Sequence, residues 1–286
     1  MSANQYKKRA GLSSRSKYIL RAKYTPSTTS MAASSFATDH VRCLLCPQQV
    51  GSLAVLCTTC ASIAQPIAPN FVPLGKDEEI YKLISSDFLS SWKHPTLTLP
   101  VVNAIYAVLM DKDIVAQYEH VRAQGQMKDE MRLYHGTRVE CNFASDTMRP
   151  CDSATCYLCC IVRHSFRHPV PRDVNQTNGG VWDRYGSAIY TTPISSKAAD
   201  YENKRNATID NQQRTRNVVL ARVATGRMQE LSTPDDRSRT AASSGYDSIV
   251  ARGPPAVNYC EHAVYKDFGA LPIFMFQFPS RMPTCL

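Results

Sequence analysis

Two Cys-x-x-Cys pairs, Cys43/Cys46 and Cys57/Cys60, lie ten residues apart, and this spacing constrains the chain more than any other feature in it. Four thiolates so arranged can surround one tetrahedral zinc at about 2.3 Å from each sulfur. Four unrelated buried cysteines have no reason to reproduce that spacing. The chain carries eleven cysteines in all, an odd number for a pure disulfide framework. No apolar run follows the first basic residues, so a secretory leader is not expected. We therefore expect an intracellular, reducing location, in the nucleus or the cytoplasm, where grouped cysteines hold metal more often than they pair with each other.

The formal charge of +9 suggests nucleic acid until it is located along the chain. Residues 1–38 carry Lys7, Lys8, Arg9, Arg15, Lys17, Arg21 and Lys23 and no acid, which leaves 26 basic against 24 acidic residues in the rest. The body is therefore near neutral. The acid-poor, Ser-rich start reads as a disordered basic tail, a nuclear-import or nucleic-acid-binding arm, or a mitochondrial transit peptide. Composition is otherwise globular, and no segment approaches the roughly 18 apolar residues of a membrane helix. The longest run, Leu99 to Met110, is broken by Asn103. No membrane partner is expected.

After the first cysteine group comes a Pro-rich connector with Pro66, Pro69 and Pro73. Helical spacing of Ile80, Leu83, Ile84 and Phe88 predicts a helix from Asp77 towards Trp92. Val101, Ile105 and Val108 predict a second helix, and Ile114, Val115, Tyr118 and Val121 a third, started by Asp111 or Asp113. From Met131 onward the pattern changes to short apolar runs: Arg132–Tyr134, Ala188–Thr191, Val218–Ala224, Ser248–Ala251, His262–Tyr265 and Ile273–Phe278. The polar stretches Asn203–Arg216 and Ser232–Ser244 read as loops. Helices first and strands later, without regular alternation, predict an α+β fold with a largely antiparallel core. The expected organisation is a tail over 1–38, a zinc knuckle over 39–69, a helical segment over 70–130 and a catalytic core over 131–286.

Three short motifs lie in the strand-rich part. Leu133-Tyr134-His135-Gly136-Thr137 ends a predicted strand; Gly186-Ser187-Ala188-Ile189-Tyr190-Thr191-Thr192 leads through Ser195-Ser196-Lys197-Ala198-Ala199-Asp200 to Tyr201; and Glu261-His262-Ala263-Val264-Tyr265 opens a late strand. A histidine at a strand end, a pair of tyrosines or a glutamate at a strand start is each ordinary alone. In this order they resemble the catalytic domain of the poly(ADP-ribose) polymerase family, whose signature is a His, a Tyr and a Glu on three separate strands. The resemblance runs from about Pro100 to Phe278. It includes the eleven-residue spacing of Tyr190 and Tyr201 with Ser196-Lys197 between them, and Leu271-Pro272-Ile273-Phe274 after the Glu strand. The Ile-Tyr-Thr-Thr run and the cysteine insertion are closer to fungal members.

The resemblance implies an ADP-ribosyltransferase-like split antiparallel β-sheet with N-terminal helices, and NAD as substrate. It assigns Glu261, His135 and Tyr190 to catalysis, and His135, Gly136, Thr137, Tyr190, Ser196 and Tyr201 to NAD binding. Tyr201 and Tyr190 would flank the nicotinamide, Gly136 would present its backbone to the carboxamide, and His135, supported by Thr137, would bond the adenine-side ribose. Glu261 would bond the nicotinamide ribose, stabilise positive charge and orient the acceptor. One departure is visible: Ala198 stands where the family usually has a serine that bonds the carboxamide, which puts NAD affinity in doubt unless Ser196 substitutes.

Between His135 and Tyr190 lies a second cysteine group, Cys141, Cys151, Cys156 and Cys159, with Cys160 and His164 as alternates. Its spacing predicts a second structural zinc, and by the resemblance its loop walls the NAD site. Full thiolate coordination leaves no open position for water, so a catalytic metal is not expected. The function expected is NAD-dependent ADP-ribosyl transfer to protein acceptors, mono rather than poly, with release of nicotinamide. The alternatives are a catalytically weak NAD- or ADP-ribose-binding module, and a zinc-dependent nucleic-acid-binding protein using the basic tail and the knuckle.

Overall fold

The computed structural model describes residues 41–42, 49–50, 69–93, 99–124, 129–141, 148–167, 184–203, 215–233 and 239–279. The chain divides into two compact units, Met1–Pro66 and Ile67–Leu286. In the first, β1 (Val41–Arg42) pairs antiparallel with β2 (Gln49–Val50). Cys43, Cys46, Cys57 and Cys60 lie outside the described residues.

The second unit is a mixed α+β structure built on two sheets. The larger contains β3 (Asn70–Pro73), β4 (Ala104–Leu109), β5 (Glu130–Gly136), β7 (Thr215–Ala224) and β11 (Ala270–Pro279), in the order β3-β4-β11-β7-β5, every neighbour antiparallel. The smaller contains β6 (Ile189–Thr191), β8 (Met228–Glu230), β9 (Ser248–Ala251) and β10 (Glu261–Val264), in the order β6-β10-β9-β8, with only β8 and β9 parallel. Four described helices accompany them: α1 (Glu79–Ser90), α2 (Lys112–Ala123), α3 (Tyr157–His164) and α4 (Ser195–Asn203).

The central strands β7 and β11 are nearly continuous buried runs, because both of their faces are covered. The register of β11 on β7 shifts between Pro272 and Phe274, where the proline has no N–H to give the ladder. At the sheet edge, Arg222 donates two hydrogen bonds to Glu130 (2.9 and 2.8 Å) and the Tyr118 hydroxyl donates a third (2.8 Å), tying β5 to β7 and α2. Asp111, one of the two starts the sequence offers, caps α2, its carboxylate accepting the Asp113 N–H at 2.8 Å.

The helix expected over Val101–Val108 is a correction: Ala104–Leu109 is strand β4, between β3 and β11. Five of its six residues are buried, so the two-residue alternation of a half-exposed strand is absent, and Ile105 and Val108 mimic helical spacing. The 70–130 segment thus contributes two strands as well as two helices. Helix α1 starts at Glu79, two residues after Asp77, and buries Tyr81, Ile84 and Phe88 while Leu83 faces outward. The loop predicted over Asn203–Arg216 is trimmed at both ends, by α4 and β7. Strand β8 and helix α3 are additions to the sequence reading.

Candidate functional site

The two sheets meet at their edges through one antiparallel bridge. Tyr134 N–H donates to the Thr192 carbonyl (2.7 Å) and Thr192 N–H returns a bond to the Tyr134 carbonyl (2.9 Å). This seam brings the end of β5 beside the end of β6. Thr192 also fixes two further pieces: its hydroxyl donates to the Cys260 carbonyl (2.7 Å), just before β10, and accepts the Ile194 N–H (3.1 Å), just before α4. One threonine therefore gathers the ends of three strands and the start of a helix.

A cleft opens over this seam, lined by Tyr134, His135, Gly136, Tyr190, Thr191, Thr192, Lys197, Ala198, Tyr201 and Glu261. The His135 ring donates from Nδ1 to the Tyr190 carbonyl at 2.8 Å. Because a carbonyl only accepts, this bond puts the proton on Nδ1 and leaves Nε2 as the acceptor of the neutral ring. Burial pushes the His135 pKa down, partly offset by that bond, which keeps the imidazole neutral. Phe166 meets the ring edge-on, with centroids 5.0 Å apart.

Glu261 is the first residue of β10 and is buried. Lys197 and Tyr201 stand one turn apart on α4, so both reach it from the same helix face. Lys197 Nζ lies 2.6 Å from Glu261 Oε2 and donates to the Tyr259 carbonyl at 2.9 Å, while the Tyr201 hydroxyl donates to Glu261 Oε1 at 3.4 Å. Burial lowers the Lys197 pKa against the pull of Glu261. Burial, reinforced by the Glu261 charge, raises that of Tyr201, so its phenol keeps its proton. The cleft therefore offers a carboxylate with two donors, a neutral imidazole and two tyrosine rings.

Gly136 has a packing use as well. A Cβ at this position would meet the Ala198 carbonyl oxygen at 1.7 Å, so the glycine lets α4 lie directly on β5. The Tyr190 hydroxyl is consumed locally, donating to the Gly186 carbonyl (2.7 Å) and accepting the Tyr185 N–H (2.8 Å). Thr137 and Ser196 are buried and do not line the cleft. The Ser196 hydroxyl accepts the Lys93 N–H at 3.0 Å, behind α4, so it does not replace the side chain absent at Ala198.

Cys141, Cys151, Cys156 and Cys159 cluster with their sulfurs all within 4.8 Å of one another. Tetrahedral zinc with bonds of about 2.3 Å requires sulfurs about 3.8 Å apart. Cys141 and Cys159 are 3.4 Å apart and Cys156 and Cys141 3.7 Å, so the donor set fits such an ion. The Cys159 thiol hydrogen-bonds Cys156 and lowers its pKa. Cys160 instead points to the Ser153 and Ala154 carbonyls (3.5 Å each), and His164 stands apart from the group. Cys156 and Cys159 are buried in the main core with Leu158, Val162 and Phe166, and none of the four lines the cleft. The loop expected as a wall over the site is, at these cysteines, part of the cover of the larger sheet.

Lys197, Thr192 and Phe166 were not candidates from sequence. Lys197 was visible only as part of the Ser196-Lys197 pair within the resemblance, without a role; its burial, which calls for a partner charge, is a tertiary fact. No protein-family model and no curated protein matches the chain. Among the described residues no helix is long and apolar enough to cross a membrane.

Proposed function

We propose that the chain is an NAD-dependent ADP-ribosyltransferase with an ADP-ribosyltransferase-like fold, transferring single ADP-ribose units to protein acceptors. The observation that carries this reading is the convergence of His135, Tyr190, Tyr201 and Glu261, from three strands and a helix, on one cleft at the seam of two antiparallel sheets. Nothing in the linear order of these residues requires them to meet.

In this reading the bond between C1′ of the ribose and the nicotinamide nitrogen breaks, and nicotinamide leaves with the electron pair. Glu261 accepts a hydrogen bond from the ribose 2′-hydroxyl and stabilises the cationic sugar. The acceptor then attacks C1′ and gives up its proton, for which Glu261 is the nearby base. Lys197 and the Tyr201 phenol hold the two carboxylate oxygens before substrate arrives. His135, neutral and with Nε2 as acceptor, bonds a ribose hydroxyl. Tyr201 and Tyr190 offer aromatic faces to the nicotinamide, each stack contributing about 0.5–1.5 kcal/mol beyond burial. With Ala198 in the cleft and Ser196 turned away, the carboxamide relies on backbone groups near Gly136.

The four-cysteine cluster holds a structural zinc in this reading; four thiolates fill the coordination shell and the ion contributes to folding. Titration calorimetry with NAD, followed by chromatography for free nicotinamide, tests the function. Binding with release supports a transferase or hydrolase. Binding without release supports the NAD-binding module, and no binding removes NAD from the account.

A further inference from the structure

We propose that the four-cysteine centre positions His135 through Phe166, so that metal occupancy governs how the cleft receives its ligand. The proposal rests on the zinc reading above, and its consequence for NAD rests on the transferase reading.

The cluster clamps two arms of chain that both lead to the imidazole. The first leaves β5 at Gly136 and reaches Cys141 six residues after His135. The second runs from Cys156 and Cys159 through α3 to Phe166, seven residues beyond Cys159. Cross-links join the arms beside the sulfurs: Leu158 N–H donates to the Arg138 carbonyl (3.1 Å), Glu140 N–H to Cys156 Sγ (3.4 Å), and the Arg138 guanidinium lies 4.8 Å over the Tyr157 ring.

The far end of the second arm is anchored as well. The Ser165 hydroxyl donates to the Ala270 carbonyl (2.9 Å) and Phe268 N–H donates to the Phe166 carbonyl (2.9 Å). Phe166 is buried and has its ring against His135. His135 is thus held by a hydrogen bond at Nδ1 and by an aromatic edge, and only the first is supplied by the sheets. Removing the metal frees four thiols whose sulfurs all lie within 4.8 Å of one another, and the arms can then part. Phe166 is a positioning residue in this scheme; it does not touch the ligand.

The test uses the full chain, labelled with 15N-histidine, with His135 signals assigned by their loss in His135→Gln. Cys151→Ser should lose one zinc relative to the parent by elemental analysis and shift the His135 ring signals. Phe166→Leu should keep the parent zinc content and shift the same signals. Cys43→Ser, in the other cysteine group, should leave them unmoved. NAD affinity should fall about fivefold or more in both Cys151→Ser and Phe166→Leu. Unmoved His135 signals in folded, zinc-replete Phe166→Leu overturn the proposal, as does a parent whose zinc content is unaffected by Cys151→Ser. If Cys151→Ser does not fold, the parent stripped by a chelator and Phe166→Leu decide the question. Shifted signals in a protein that binds no NAD leave the coupling standing and remove the transferase reading.

Discussion

Lys197 Nζ and Glu261 Oε2 are 2.6 Å apart, with only 12% and 4% of the two side chains exposed. A buried pair of this kind adds little net stability over an apolar pair, because both charges lose their hydration. Its use is to set a counter-charge beside a buried carboxylate at the start of β10, facing the cleft.

Breaking the pair from the lysine side should be costly. Lys197→Met leaves Glu261 without its counter-charge and should cost about 3–5 kcal/mol in denaturant unfolding. A loss under about 1 kcal/mol would show that Tyr201 and the backbone suffice to hold the charge.

Tyr201 separates a face from a hydroxyl. Tyr201→Ala should weaken NAD binding by about 1–3 kcal/mol through lost stacking and burial. Tyr201→Phe should spare affinity, because the 3.4 Å contact with Glu261 is long for a hydrogen bond. A Phe variant that binds as poorly as the Ala variant would transfer the binding role to the phenol oxygen.

At Gly136 even one methyl group is too large. With the Ala198 carbonyl oxygen 1.7 Å from a would-be Cβ, Gly136→Ala must push α4 off β5 and should destabilise by about 1–3 kcal/mol or more. Calorimetric unfolding checks this, and an unchanged midpoint would mean that the helix does not pack as closely as described.

Two imidazoles, one buried and one half-buried, set a pH dependence. Burial, with Arg252 and Lys197 adding to it, pushes His262 down to about 4, and burial also lowers His135. The unfolded chain takes up these protons near pH 6.5, the folded chain only further down, so the stability contribution is full above about 6.5 and lost as pH falls towards 4. Melting temperatures of the parent should decline across that window, and His262→Leu should flatten the decline. An identical slope in the variant would assign it to other groups.

The legible and illegible parts of the sequence divide along physical lines. Helix α2 was readable because Asp111 is a cap and the apolar spacing is one-sided, and β9 because Ser248–Ala251 is a short apolar run between turn residues. Strand β4 was not, since burial on both faces erases the alternation that marks a strand. The convergence of His135, Tyr190, Tyr201 and Glu261 was legible only as an ordered set of motifs. The partners that hold them were not, because the Tyr134–Thr192 bridge is made by backbone atoms that any residue carries. Gly136 was noticed for the right absence of a side chain, but the neighbour that requires it, the Ala198 carbonyl, is a tertiary fact. Cys141, Cys151, Cys156 and Cys159 were picked out by spacing alone, and the structure gathers those four, leaving the alternates Cys160 and His164 outside the group.

The most direct test of the transferase reading follows both halves of NAD at once in the zinc-replete full chain and in Glu261→Gln. The parent should release labelled nicotinamide and retain the adenine label covalently on protein. Glu261→Gln should lose about 100-fold or more of that rate while NAD affinity stays within roughly threefold, because the carboxylate acts on charge that develops only in the transition state. No nicotinamide release from the parent, or equal transfer by Glu261→Gln, would contradict the assignment of this cleft to ADP-ribosyl transfer.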